Sequence, residues 1–206
     1  VWAALARSVG VALLSTVLTM GLALTLALAS AAAGQGRRSA LIEVAALLPL
    51  ATSALVLGIG LFILLQPLVL PSSVALPVTL AVNALLTLPF AYRLLVPQAR
   101  ALFADYGRLS QALGLRGWAW LRWLALPRLA RPLGFGAGLS VAFSMGDLGV
   151  IALFAGDRTA TLPLVVQRLM SAYRIDQAMS AALLLVMISF ALFWAFESWG
   201  RRHAAS

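Results

Sequence analysis

The run VGVALLSTVLTMGLALTLALASAAA, Val9–Ala33, contains no charged side chain. A helix needs roughly 20 predominantly apolar residues to cross the hydrocarbon core of a bilayer. The rest of the chain has a similar composition, since 63% of its 206 residues are hydrophobic and 10% are charged. A soluble domain of this size usually carries about 25% charged residues. The sequence therefore predicts an all-α polytopic membrane helix bundle that forms a single transmembrane domain over residues 1–206.

Proline and charged residues divide the chain into five predicted spans. Pro67 and the Pro71-Ser-Ser sequence split the long uncharged stretch that follows Glu43. The predicted spans are Val9–Ala33, Val44–Gln66, Val74–Leu95, Pro132–Ala155 and Ala178–Trp199. The segment 156–177 is too short to cross the membrane twice, and its apolar middle predicts a re-entrant or an interfacial helix lying against the bundle.

All basic side chains are arginines, and the formal net charge is +9. The segments 37–38, 93–131 and 201–202 hold eleven arginines. The predicted opposite side has four, namely Arg7, Arg158, Arg168 and Arg174. The positive-inside rule then places the first group in the cytoplasm, the N-terminus outside and the C-terminus inside. Since the arginines lie between apolar runs, the charge favours membrane topology over nucleic-acid binding.

The residue types that most enzymes and metal sites use are scarce. The chain has no cysteine, and its single histidine, His203, lies in the polar tail. No phosphate-binding glycine loop, nucleophile elbow or zinc-protease motif is present. We therefore expect no catalytic site, no bound metal and no cofactor.

The stretch QALGLRGWAWLRWLALPRLARPL, Gln111–Leu133, interrupts the apolar chain with four arginines and three tryptophans. The pattern between Pro97 and Pro132 predicts two short helices at the cytoplasmic surface. Gly114 is suited to end the first in the left-handed conformation, and Pro127 is expected to stop the second. Indole rings suit the headgroup level. On composition alone, a basic loop that holds anionic membrane lipid is as good an interpretation as a functional one.

The spacing in this loop resembles the EAA…G…I-x-L-P loop in the membrane subunits of binding-protein-dependent ABC importers. Gly114 is followed, after nine residues, by Leu124-x-Leu126-Pro127. Arg108, Leu109 and Ser110 stand where the family has Glu-Ala-Ala, so the match rests on the glycine and the Leu-Pro pair. In that family the loop, here residues 97–131, couples the membrane domain to an ATP-binding subunit. The resemblance implies these coupling residues: Arg108, Ala112, Gly114, Leu115, Leu124, Leu126 and Pro127.

Two further stretches are similar to the last part of the permeases for thiamine and thiamine pyrophosphate. They are SMGDLGVIALF at Ser144–Phe154 and TLPLVVQRLMSAYRIDQAMSAALLL at Thr161–Leu185. Those permeases have two homologous halves in one chain, so the resemblance implies that residues 1–206 are the second half. It also implies a bacterial inner-membrane location, an ATP-binding subunit acting as a dimer, a periplasmic substrate-binding protein and a homologous permease half.

Other functions stay open at this point. A related permease could carry iron, a polyamine or an oxyanion. A membrane scaffold or an intramembrane enzyme belongs to a different class. The enzyme is disfavoured because the predicted spans hold no histidine and, apart from Glu197 near a span end, a single acid, Asp147.

Asn83 and Asp147 are the polar side chains that stand out within the predicted spans. A carboxylate at the depth of Asp147 costs several kcal/mol unless it is paired or hydrated. Asp147 therefore either lines a translocation path for a cationic thiazolium or a metal-bound substrate, or caps a helix that starts at Leu148. Asn83 either lines the same path or makes an interhelical hydrogen bond. The surrounding glycines predict close helix packing or a helix break: Gly134, Gly136, Gly138, Gly146 and Gly149.

Overall fold

The computed structural model describes residues 1–115, 117–156 and 159–204, and all regular structure within them is helical. The helices are α1 Trp2–Ala32, α2 Arg37–Leu47, α3 Ala54–Leu65, α4 Pro71–Ala112, α5 Gly117–Trp120, α6 Leu126–Gly146, α7 Ile151–Phe154, α8 Leu162–Ser171 and α9 Ile175–His203. A 3₁₀ turn at Leu48–Ala51 follows α2, and a π-helical turn at Leu121–Ala125 joins α5 to α6. The predicted all-α bundle is confirmed.

Four helical stretches in the described residues are long and apolar enough to cross a membrane, or five if α2 and α3 count as one crossing. The predicted second span is not a straight helix, because α2 with its 3₁₀ turn meets α3 at 89°. Pro49 begins this break, since a proline has no N–H to continue the hydrogen-bond ladder of α2. Thr52 and Ser53 then take extended backbone conformations and redirect the chain.

The two short helices predicted between Pro97 and Pro132 are instead the ends of longer ones. Helix α4 continues through Pro97 to Ala112, and α6 contains Pro127 in its first turn. The prediction that Pro127 stops a helix was therefore wrong. The preceding π-helical turn is one residue wider than an α-turn, since Leu126 N–H bonds to the Leu121 carbonyl. This wider turn relieves the clash that a proline ring makes with the carbonyl four residues earlier.

The predicted fourth span, Pro132–Ala155, is broken near its far end. Helix α6 ends at Gly146, and Asp147 takes an extended backbone conformation. The Asp147 Oδ1 accepts a hydrogen bond from Gly149 N–H at 3.1 Å. Such a local side-chain bond competes with helical hydrogen bonding, so the chain turns here before the short helix α7 begins.

Helix α1 packs against both α4 and α6, and α6 packs along α9. Two of the predicted packing glycines lie on the α6–α9 contact: a Cβ atom on Gly138 would lie 2.9 Å from the Phe193 carbonyl oxygen, and Gly134 faces Gly200. Gly136 instead faces Met20 on α1 and Leu94 on α4. The prediction of close packing is confirmed for these positions, whereas a Cβ on Gly146 would meet no atom within 4 Å.

The arginine-rich segments converge at one end of the bundle. The Arg100 guanidinium on α4 lies 3.7 Å from the Glu43 carboxylate on α2, and Gly200 near the end of α9 contacts Ala130 near the start of α6. At the opposite end, Ser8 Oγ accepts a hydrogen bond from Leu162 N–H at 2.7 Å and ties the start of α1 to α8. Arg116 and Arg158 were counted in the prediction of membrane orientation, and both lie outside the described residues.

Candidate functional site

A groove between α4 and α6 brings Asn83 and Asp147 together. Its cavity volume is about 400 Å³, and it opens on the surface of the bundle. Its polar lining comes from Asn83 and Thr87 on α4 and from Ser144 and Asp147 at the end of α6. We call it the polar groove, and it contains both residues that the sequence singled out for a translocation path.

The buried Asn83 amide connects the polar groups of this groove. Its Nδ2 donates to Asp147 Oδ2 at 2.9 Å and to the Thr79 carbonyl at 3.3 Å, and its Oδ1 accepts from Ser144 Oγ at 2.9 Å. This orientation satisfies both ends of the amide, whereas the reverse would turn its oxygen toward other acceptors. Asn83 therefore makes the predicted interhelical hydrogen bond, and it also lines the groove.

A chain of buried hydroxyl groups extends the groove to α1. Ser15 Oγ donates to Ser144 Oγ at 3.0 Å. Thr19 Oγ1 lies 2.9 Å from Thr87 Oγ1, which donates to the Asn83 carbonyl at 2.8 Å. Sequence reasoning missed these hydroxyls. The signal was the four-residue spacing of Ser15 and Thr19 and of Asn83 and Thr87, which places each pair on one helix face.

The Asp147 carboxylate both stabilises a local turn and lines the groove. One carboxylate oxygen accepts the Gly149 N–H, while the other accepts from Asn83. The expected helix starting at Leu148 is not present, because the next helix begins at Ile151. Among the described residues that line the groove, Asp147 is the only ionisable one. The groove therefore carries a single carboxyl group within a membrane-spanning segment.

Two phenylalanines form the apolar part of the groove lining. The Phe90 ring on α4 lies 5.4 Å from the Phe143 ring on α6, centroid to centroid, with 42° between their planes. Their side chains are 45% and 48% exposed. This pair was not predictable from the sequence, because only the packing of α4 against α6 brings the two rings together.

The predicted coupling residues lie at the arginine-rich end, on a surface that we call the shelf, residues 97–115 and 117–131. Gly114 has φ +67°, so the predicted left-handed turn is confirmed. Leu124 packs inward against the cluster of Leu102, Ala125 and Leu129. The exposed members of the predicted set are Arg108, Ala112 and Gly114, and the half-buried members are Leu115, Leu126 and Pro127.

The aromatic residues of the shelf divide into two groups. Trp118 and Trp123 are exposed, whereas the Trp120 ring packs 5.0 Å from the Phe103 ring. The Arg128 guanidinium lies 4.5 Å from the centre of the Tyr106 ring, a cation–π contact. The shelf therefore combines a packed base with an exposed surface of apolar and basic side chains.

The described part of the chain holds no group of three or more histidine, aspartate or glutamate side chains placed to bind a metal ion. The polar groove and the shelf are the two places that contain the site residues predicted from the sequence.

Comparison with known proteins gives relatives along nearly the whole chain. The chain is 35% identical over 211 residues to the thiamine transport system permease protein of Salmonella typhimurium. This alignment covers 98% of the present chain and 38% of the relative. It is 35% identical over 192 residues to the thiamine transport system permease protein of Brucella abortus, in an alignment that covers 93% of this chain and 35% of the relative. The aligned region is the C-terminal part of these permeases.

A more distant relative is the sulfate transport system permease protein of Synechocystis. It is 29% identical over 106 residues, which covers 50% of this chain and 38% of the relative. No family model matches the chain. The chain spans little more than a third of the length of the thiamine permeases that it matches.

Proposed function

The chain belongs to the permease family of ABC importers, and we propose that it forms one half of the membrane pathway of an importer for thiamine or its pyrophosphate. The observation that carries this proposal is the 35% identity with thiamine transport permeases along 93–98% of the chain. The sulfate permease aligns with only half of this chain, and at the lower identity of 29%. Thiamine is therefore the favoured substrate over an oxyanion.

Asn83 and Asp147 line the pathway in this proposal, and a homologous half covers the polar groove. A carboxylate that faces lipid costs several kcal/mol, and such groups normally face a bundle interior or water. The groove opens on the bundle surface, so a lipid-facing orientation would expose its polar lining to hydrocarbon. A second half packed over the groove supplies polar partners or water instead.

The shelf binds the ATP-binding subunit, which contributes the ATPase activity from a separate chain. The exposed positions Arg108, Ala112 and Gly114, with Leu113, form the contact surface, while the packed base around Leu124 holds it in place. The arginine-rich end then lies in the cytoplasm of a bacterial cell, with the N-terminus of this segment on the periplasmic side of the inner membrane.

The helices that line the groove are the same helices that form the shelf. Helix α4 carries both Asn83 and Arg108, which lie about 38 Å apart along one continuous helix. Helix α6 begins in the shelf and ends at Gly146, next to Asp147. Movement of the shelf when two ATP-binding subunits close is therefore transmitted to both walls of the groove, and a periplasmic binding protein delivers substrate at the opposite end.

The test is uptake of radiolabelled thiamine by cells that lack their own thiamine transporter and express the complete importer. We expect uptake that depends on the ATP-binding subunit and is inhibited by unlabelled thiamine but not by sulfate. Absence of thiamine uptake, together with a binding protein that retains another ligand, would overturn the proposed substrate.

A further inference from the structure

We propose that the polar groove is a selectivity site for an aromatic cation, and that it admits free thiamine in preference to thiamine pyrophosphate. This inference rests on the proposed function and deepens it. It names the chemical form of the substrate and assigns a role to Phe90 and Phe143 beside Asp147.

A carboxylate at Asp147 would favour a cation in the groove. Asp147 is the only ionisable side chain among its described lining residues, and one of its oxygens lies 2.9 Å from the Asn83 amide nitrogen. Thiamine carries a permanent positive charge on its thiazolium ring. Its pyrophosphate ester adds more negative charge than the ring offsets, and the described lining offers no arginine to compensate it. Like-charge repulsion with Asp147 therefore opposes the ester and any oxyanion.

The aromatic lining favours a flat ring. Phe90 and Phe143 lie on the two opposing walls, with ring centroids 5.4 Å apart. Both side chains are partly exposed, so a planar or cationic ring can pack against them. A polyamine or a hydrated metal ion would use the carboxylate but leave these rings without a partner.

The size and polarity of the groove fit a molecule with two small rings. A volume of about 400 Å³ lies within the range of small-molecule sites. Thr87 and Asn83 line the groove beside Asp147, so hydrogen-bonding groups lie close to the charge. A charged thiazolium near Asp147 and an uncharged aminopyrimidine against the phenylalanines would use both parts of this lining.

The experiment measures transport of thiamine and of thiamine pyrophosphate by the complete importer in liposomes, with the same binding protein delivering the ligand in every sample. A change in the ratio of the two rates then reports on the permease rather than on delivery. The wild type is expected to transport thiamine faster. Asp147→Asn is expected to lower the thiamine rate about tenfold and to reduce that ratio, because a neutral amide repels the ester less.

Phe143→Leu keeps an apolar side chain but removes the ring, and it is expected to lower the thiamine rate about tenfold. Phe143→Tyr keeps the ring and should restore most of the rate. Phe135→Leu is the matched control, since Phe135 lies on the same helix and is 42% exposed but packs against Phe193 on α9. It should transport thiamine as the wild type does.

The outcomes separate the two proposals. Equal thiamine rates for Phe143→Leu and Phe135→Leu, or faster transport of the pyrophosphate by the wild type, would overturn the selectivity site while the thiamine importer stands. If Asp147→Asn does not assemble, the two Phe143 variants decide. A wild type that transports neither compound would overturn the proposed function and the selectivity site with it.

Discussion

Gly134 on α6 and Gly200 on α9 bring the backbones of two helices into direct contact. A Cβ atom on Gly134 would lie 2.6 Å from the Cα of Gly200, and one on Gly200 would lie 2.7 Å from the carbonyl oxygen of Ala130. Both obstacles are backbone atoms, which no side-chain rotation can move. The close approach of α6 and α9 therefore depends on the absence of a side chain at either position.

We predict that Gly134→Ala and Gly200→Ala each destabilise the permease by about 1–3 kcal/mol through overpacking, although alanine is the better helix former. The measurement is the thermal unfolding midpoint of the detergent-purified permease. Gly21→Ala is the control, because a Cβ there would meet no atom within 4 Å. An unchanged midpoint for both α6–α9 variants would contradict the packing described here.

A second prediction concerns the bond that joins the start of α1 to α8. Ser8 Oγ accepts from Leu162 N–H at 2.7 Å, and Leu162 is fully buried. Ser8→Ala leaves this N–H without an acceptor, at a cost of about 1–3 kcal/mol. Proteolysis and hydrogen exchange should both become faster in α8. Ser180→Ala, whose hydroxyl is exposed and bonds within its own helix, should leave both rates unchanged.

Composition and charge predicted the all-α bundle and most of the long helices, because an uncharged run of this length has no other stable structure in a bilayer. The left-handed turn at Gly114 was predictable for a similar reason, since glycine strongly favours such a position. Both inferences rest on properties of a single segment.

Features that depend on two segments were not predictable. Pro97 and Pro127 read as helix ends, but α4 and the π-helical turn before α6 accommodate them through local geometry that one sequence does not reveal. The partners of Asn83 and Asp147 were equally hidden. Each was recognised as a polar group within a predicted span, yet only the packing of α4 against α6 makes each the partner of the other.

A third prediction concerns orientation and uses the absence of cysteine from the chain. A single cysteine at Ala112, exposed at the arginine-rich end, should be protected from an impermeant thiol reagent added to intact cells. A cysteine at Ala172, exposed between α8 and α9 at the opposite end, should react. Reaction at Ala112→Cys from outside would reverse the proposed topology.

The final prediction concerns coupling and rests on the backbone of Gly114. Its φ of +67° strains any residue with a Cβ by about 1–2 kcal/mol, and a β-branched residue most of all. A Cβ there would meet no atom within 4 Å, so the effect of Gly114→Val comes from the turn itself. The variant is expected to insert into the membrane normally. It should change the orientation of α5 relative to α4, because the turn joins the end of α4 to the start of α5.

Gly114→Val should therefore release the ATP-binding subunit during purification, or separate ATP hydrolysis from transport in liposomes. Gly107→Val is the matched control, since Gly107 lies in α4 with an ordinary helical backbone and a Cβ there would also meet open space. Trp118→Ala should be milder than Gly114→Val, because Trp118 is exposed and Trp123 remains at the same surface. If Gly114→Val retains the subunit, substrate-stimulated hydrolysis and uptake at wild-type levels, the shelf is a lipid anchor, and the proposed coupling surface must lie elsewhere on the cytoplasmic end.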